Sequence, residues 1–284
     1  MNLKSIFFSL CLITQTAISQ TKFYANYNWE KKPVLTASDA AYKDLDFYTV
    51  FHNHILEYAY DANGELSLYE TWHELMHINT DKGVEAKNKM YIPSGKIIEM
   101  IDIKARCVTA SGKVINLDRS GIKEVDNLED MGPYTIFAYE GVEPNSDIEY
   151  IYTAKKASNI YGAYNTQFTH PVKRTEVHFI HPKNLTYDVR SYNGFPPFVK
   201  DTSNADVGHL VAKAENTEAF VEESYSAGDA NKYYFCFQLR YNTQNSKAKL
   251  YTWNLLANDL IKVYYNPEKD DIKAVAKLIS KSGA

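Results

Sequence analysis

The chain has 284 residues, of which 45% are hydrophobic and 23% charged, with a formal net charge of −4. Such a composition excludes disordered and collagen-like chains, and the length is enough for one large domain with a well-buried core. The mild acidity, with no Lys/Arg cluster, argues against nucleic acid as a partner.

Residues 1–19 read as a signal peptide. Lys4 supplies the positive start, "IFFSLCLI" the apolar run, and Ala17 and Ser19 the small residues before a cleavage site, so cleavage is predicted after Ser19 with Gln20 as the mature N-terminus. Cys11 follows Leu10 inside the apolar run, which does not suit a lipidation site. The mature protein is therefore expected to be exported (periplasmic, cell-surface or secreted) and to carry no integral membrane segment. Its two remaining cysteines, Cys107 and Cys236, lie in strand-like runs, and the sequence leaves open whether they pair.

Residues 20–46 form a lead-in. Over 47–245, short runs rich in Val, Ile, Thr and Tyr alternate with turn signals. Phe47 to Tyr60 leads into Asn63-Gly64, a hairpin signal. Glu65 to Asn79, Val84 to Ile92, Ile97 to Thr109, Val114 to Leu117 and Tyr134 to Tyr139 follow as predicted strands. Asp147 to Ala154, Glu176 to Ile180, Leu185 to Tyr192 and Tyr233 to Tyr241 complete the set. Over 246–284 the pattern changes. Leu250, Trp253, Leu256, Leu260 and Val263 recur at helical spacing, Asn266-Pro267 starts a second helix, and Ile272, Val275, Ala276, Leu278 and Ile279 mark its apolar side up to Gly283. The predicted fold is mainly β, an antiparallel β-sandwich followed by a C-terminal α-helical hairpin.

The stretch "TWHELMHINT" spells His73-Glu74-x-x-His77, the zinc-hydrolase signature. The motif chelates only on a helix, where residues four apart share a face. On a strand the two histidines are separated by ~13 Å, out of reach of one ion. The hairpin before it and the Gly turn after it favour a strand carrying surface histidines, and no third ligand stands at the expected spacing. Glu99 and Glu124 are the available carboxylates, but Pro93-Ser94-Gly95 intervenes. No metal or cofactor is predicted. A Cys-His-Asp site fares no better. No histidine follows Cys236, and Cys107, which precedes His170, His178, His181 and Asp188, sits in a strand rather than at a helix start. Asp126, Glu129 and Asp130 read as a solvated acidic loop.

The runs "DKGVEAKNKMYIP", "ARCVTASGKVINL", "GVEPNSDIEYIYT" and "FTHPVKRTEVHFIHPKNLTYDVRSYNG" together resemble domain of unknown function 3857, in the version found in exported proteins of Bacteroidetes. The resemblance is good over Phe47 to Pro197. Asn145 stands where Gly is expected in a turn, a residue that also tolerates the left-handed conformation. The resemblance implies a β-sandwich that is normally followed by a transglutaminase-like domain, with the C-terminal helices as its lead-in. The expectation is thus a non-catalytic accessory domain, whose partner is a transglutaminase-like domain or an extracellular protein, peptide or glycan. A truncated or split enzyme lacking its catalytic module is the alternative, and a zinc hydrolase through His73, Glu74 and His77 is the second.

Overall fold

The computed structural model describes residues 22–225, 227–244, 247–265 and 268–282. The predicted signal peptide, the Asn266-Pro267 helix start and Gly283 lie outside them.

In chain order the elements are α1 (Phe23–Asn26), β1 (Phe47–Tyr60), β2 (Leu66–Ile78), α2 (Asp81–Lys87), β3 (Lys89–Pro93), β4 (Ile97–Val108) and β5 (Val114–Asn116). Next come β6 (Lys123–Val125), β7 (Tyr134–Ala138), β8 (Ser146–Ala157), β9 (Tyr161–Asn165) and β10 (Val172–Pro182). The last are β11 (Leu185–Tyr192), β12 (Val199–Lys200), β13 (Val207–Thr217), α3 (Gly228–Asn231), β14 (Tyr234–Asn242), α4 (Trp253–Tyr265) and α5 (Lys269–Ser282).

An eight-stranded sheet in the order β12-β13-β10-β1-β2-β8-β4-β5 forms the backbone of the molecule. Two three-stranded sheets, β11-β14-β9 and β3-β7-β6, accompany it. Among the described residues all pairings are antiparallel except β1 with β10, which run parallel. Period-two alternation sends every second side chain of the large sheet to one face. That face carries Leu56, Leu68 and Phe179 at one end and Met76, Ile148 and Cys107 at the other. The first group packs with Tyr187, Phe235 and Phe237 of one small sheet, and the second with Ile92 and Phe137 of the other. Both small sheets therefore cover the same face, and the predicted mainly β, two-layer class holds.

Three local readings are corrected. Val84 to Ile92 is not one strand. Thr80 accepts a hydrogen bond from the Gly83 amide and caps α2, whose first residue is the dipole-favoured Asp81, and the strand begins only at Lys89. The β13 strand was not predicted, because "VGHLVAKAENT" is rich in Ala, Lys, Glu and Asn, all weak strand formers. The histidines of β2 are not on the surface: His73 and His77 are both buried.

Gly83 is where α2 meets the chain entering β1. A β-carbon there would lie 2.2 Å from the Asp46 carbonyl oxygen, a backbone atom with little freedom to retreat. Gly83→Ala should therefore cost about 1–3 kcal/mol, read as a lowered midpoint in chemical denaturation. A midpoint equal to wild type would mean that the α2 turn is not held against Asp46.

Candidate functional site

The other face of the large sheet is polar, and the lead-in crosses it as a strap. The backbone amides of Phe23 and Tyr24 both donate to the buried Glu57 carboxylate, at 2.7 and 2.8 Å. Burial pushes the Glu57 pKa up, against the pull of those two amides. Lys22 donates to the Tyr69 hydroxyl, and Tyr24 stacks on the Tyr69 ring. Further along, the Thr36 amide donates to Asp147, Lys173 pairs with Asp39, and Asn79 donates to the carbonyls of Tyr42 and Leu45.

The opening motif takes its real role beneath this strap. Asn53 donates to the Tyr27 hydroxyl at 2.6 Å, and that hydroxyl is 2.8 Å from His73 Nδ1. His73 Nε2 is 2.8 Å from Glu149 Oε1, while Arg106 grips Glu149 Oε2 at 2.5 Å. One tautomer satisfies the whole chain: Tyr27 donates to Nδ1, and Nε2–H donates to the carboxylate. Trp29 of the strap lies over the Arg106 guanidinium, 4.3 Å from ring centre to carbon. His77 Nδ1 is bound to Asp147 at 2.6 Å. The two histidines are thus clasped by different carboxylates of β8, four residues apart along β2, and Glu74 points to the opposite face.

Glu74 belongs to a second buried cluster, between the two apolar cores. It accepts from Thr49 (2.8 Å) and Tyr150 (2.9 Å), and the Thr49 hydroxyl is 2.9 Å from His170 Nε2. Beside it His54 binds Glu70 at 2.7 Å, Lys156 also pairs with Glu70, and the His54 ring stacks on Trp72 at 3.9 Å. Burial would raise both carboxyls. Glu74 is instead held at about 2 by His170, His52 and Thr49, and Glu70 at about 2 by His54 and Lys156. His52 is pushed down to about 4 by burial, against the attraction of Glu74.

The remaining candidates are separated from this chemistry. Cys107 and Cys236 are both free thiols. Cys107 lies in the core, where burial pushes its pKa up to about 11, so it is unreactive at neutral pH. Cys236 pairs across the small sheet with Arg190. Glu99 and Glu124 line a hollow with Met100 and Pro133 that contains no histidine. Asp126 lies in that same hollow, and Glu129 and Asp130 form an exposed turn with left-handed backbone. Among the described residues no group of three or more His, Cys, Asp or Glu side chains is arranged to hold a metal.

Two features were not singled out in the sequence. A cavity of about 330 Å³ opens beside the strap, lined by residues that include Phe23, Tyr27, Glu57, Ser203, Asn204 and His209. At its wall stands His209 of β13, which faces His178 of β10, 3.0 Å apart between His178 Nδ1 and His209 Nε2. No local pattern could reveal the pair, because its members are brought together only by the β10–β13 register.

Fold and site together define a mainly β protein with one strapped, polar sheet face and one face covered by two small sheets. Residues 66–221 match the family described as "Domain of Unknown Function with solved-structure structure (DUF3857)", and the chain belongs to that family. No curated protein sequence matches it. Among solved structures it is similar to one from Parabacteroides distasonis ATCC 8503 described as a "putative protease". The TM-score is 0.55 and the identity 12%, over 68% of this chain and 40% of that one. This likeness shows the fold alone, and this chain spans well under two thirds of that protein's length. Weaker matches are yeast LTA4 hydrolase (TM-score 0.38, 7% identity, 68% and 29% of the two chains) and an M1 zinc metallopeptidase from Deinococcus radiodurans (0.38, 6%, 69% and 43%). Both are too distant to support an inference. No helix among the described residues is long and apolar enough to cross a membrane.

Proposed function

We propose that this chain is an exported, non-catalytic scaffold domain that carries a transglutaminase-like partner domain on its C-terminal helices. The observation that carries this reading is the state of those helices. In α4, Trp253, Leu256, Leu260 and Val263 are exposed, and in α5 so are Ile272, Val275 and Leu278. An amphipathic helix gains most of its stability from burying such a stripe, so two of them exposed in succession call for a cover. The buried histidines and carboxylates of the sheet support the non-catalytic part, since each clasp described above joins fold elements to one another. The likeness to part of a protein described as a protease agrees with a division of labour in which this portion is the scaffold.

Mixing the full chain with a separately produced transglutaminase-like domain should give a complex. Leu256→Asp combined with Leu260→Asp should weaken it at least ~10-fold, since each buried Leu contributes about 1.5–3 kcal/mol. No complex, or one indifferent to both substitutions, would sink the docking role. Peptide hydrolysis or amide exchange by the chain alone would sink the non-catalytic reading.

A further inference from the structure

The His178–His209 pair is built differently from the other histidine contacts of the sheet. His73, His77 and His54 each meet a carboxylate directly, whereas here two imidazoles turn their nitrogens toward each other at 3.0 Å. Their outer nitrogens each lie near a carboxylate, and Lys213 also pairs with that of Glu176. His178 Nε2 is 3.5 Å from Glu176 Oε2, and His209 Nδ1 is 3.3 Å from Asp201 Oδ2. An imidazole whose far nitrogen faces a carboxylate is the arrangement that orients a metal-ligating histidine and raises its basicity. The strands enforce it, because His178 pairs with Val211 and His209 with Ile180, which makes the two histidines diagonal neighbours on one face.

The geometry points to a transition-metal site, one ion per chain, held by His178 Nδ1 and His209 Nε2 with water completing the coordination. Two Zn–N bonds of ~2.0–2.1 Å at a tetrahedral angle need nitrogens ~3.3 Å apart, only slightly more than the pair now has. Binding requires no net proton loss. His209 keeps its Nδ1 hydrogen toward Asp201, and His178 moves its hydrogen from Nδ1 to Nε2, toward Glu176. Burial favours the neutral form of both imidazoles.

Each ring borders an open hollow. His209 lines the strap cavity beside Ser203 and Asn204, and His178 lines a second hollow with Asp201 and Thr202. The Phe23 ring of the strap covers both imidazoles, 5.8 Å from each. Two imidazole ligands select ions of the Zn²⁺ and Cu²⁺ class over Mg²⁺ or Ca²⁺. This site is independent of the docking helices and of the scaffold reading.

Equilibrium dialysis of the full chain against ZnCl₂ in a non-chelating buffer at neutral pH tests it. One equivalent of Zn²⁺ should be taken up saturably, and MgCl₂ in excess should not displace it. His178→Gln and His209→Gln should each abolish that uptake. Asp201→Asn, at a partly exposed position, should fold normally and weaken it ~10-fold or more. His170→Gln, on the opposite face, should leave it unchanged. Independently of any variant, Zn²⁺ should shift the imidazole NMR signals of His178 and His209 in the wild-type chain. Absence of saturable uptake, uptake retained in both glutamine variants, or unmoved signals for these two rings would each overturn the site.

Discussion

Glu149→Ala should cost about 3–5 kcal/mol of unfolding free energy. The carboxylate it removes is the counter-ion of Arg106, and both side chains are almost wholly buried. Arg106 would be left charged beneath Trp29, and His73 would keep an Nε2 hydrogen with no acceptor. Truncating one member of a buried pair costs far more than the pair contributes, because the survivor can neither return to water nor find a partner. The double change Glu149→Leu with Arg106→Met should accordingly be milder than Glu149→Ala alone. The measurement is urea unfolding followed by tryptophan fluorescence, since Trp29 sits on the affected guanidinium. A loss under ~1 kcal/mol would show that water reaches Arg106 from beneath the strap.

Acid should destabilise the protein well before its surface carboxylates titrate. His52 binds its proton at about 4 in the fold and 6.5 as a free side chain, so the unfolded chain holds more protons between those values. Stability from this group is complete above about pH 6.5 and falls as the pH drops toward 4. At ~1.4 kcal/mol per unit, His52 alone accounts for on the order of 3 kcal/mol. Glu70 and Glu74, at about 2 in the fold against 4.5, add losses of the same sign as the pH falls from 4.5 toward 2. Unfolding free energy measured between about pH 7 and 3 should therefore decline throughout, in two overlapping stages. His52→Gln should make the upper stage shallower without abolishing it, because burial also lowers His178 and His209. A flat profile down to pH ~4 in the wild type would mean that His52 is hydrated in the native state.

The sequence makes the strands legible wherever side-chain alternation and turn chemistry agree. Phe47 to Tyr60 and Leu185 to Tyr192 coincide with β1 and β11, because Asn-Gly and Pro-Lys-Asn turns bound runs of β-branched and aromatic residues. It also places the His73-Glu74-x-x-His77 motif on a strand, since a hairpin turn precedes it. What stays hidden is which groups meet. Glu149 of β8 finds His73 of β2 only through pairing across the sheet, and Tyr27 reaches it from a stretch with no periodicity at all. Polar residues such as Asn53 and Glu57 read as solvent-facing in a half-buried strand, and nothing local announces a strap that covers them. The burial of β2's histidines was missed for that reason, and β13 was missed because its partner, rather than its composition, makes it a strand.

The parallel contact between β1 and β10 has a kinetic consequence. As the chain emerges, the β1–β2 hairpin can close by itself, since a short turn joins its strands. Its other neighbour in the sheet arrives more than a hundred residues later, with Thr49 waiting for Val172. Until then the hairpin displays an unpaired edge along its first strand, the kind of surface that recruits other chains. Loop-closure entropy over that span must be met before the long-range pairing rewards it, which places refolding in the slow range of ~milliseconds to seconds. The strap's contacts with Asp147 and with the His73–Glu149 pair must also wait for β8 to join the sheet. The strap, made before β1, thus finds its place only after the strands that follow it.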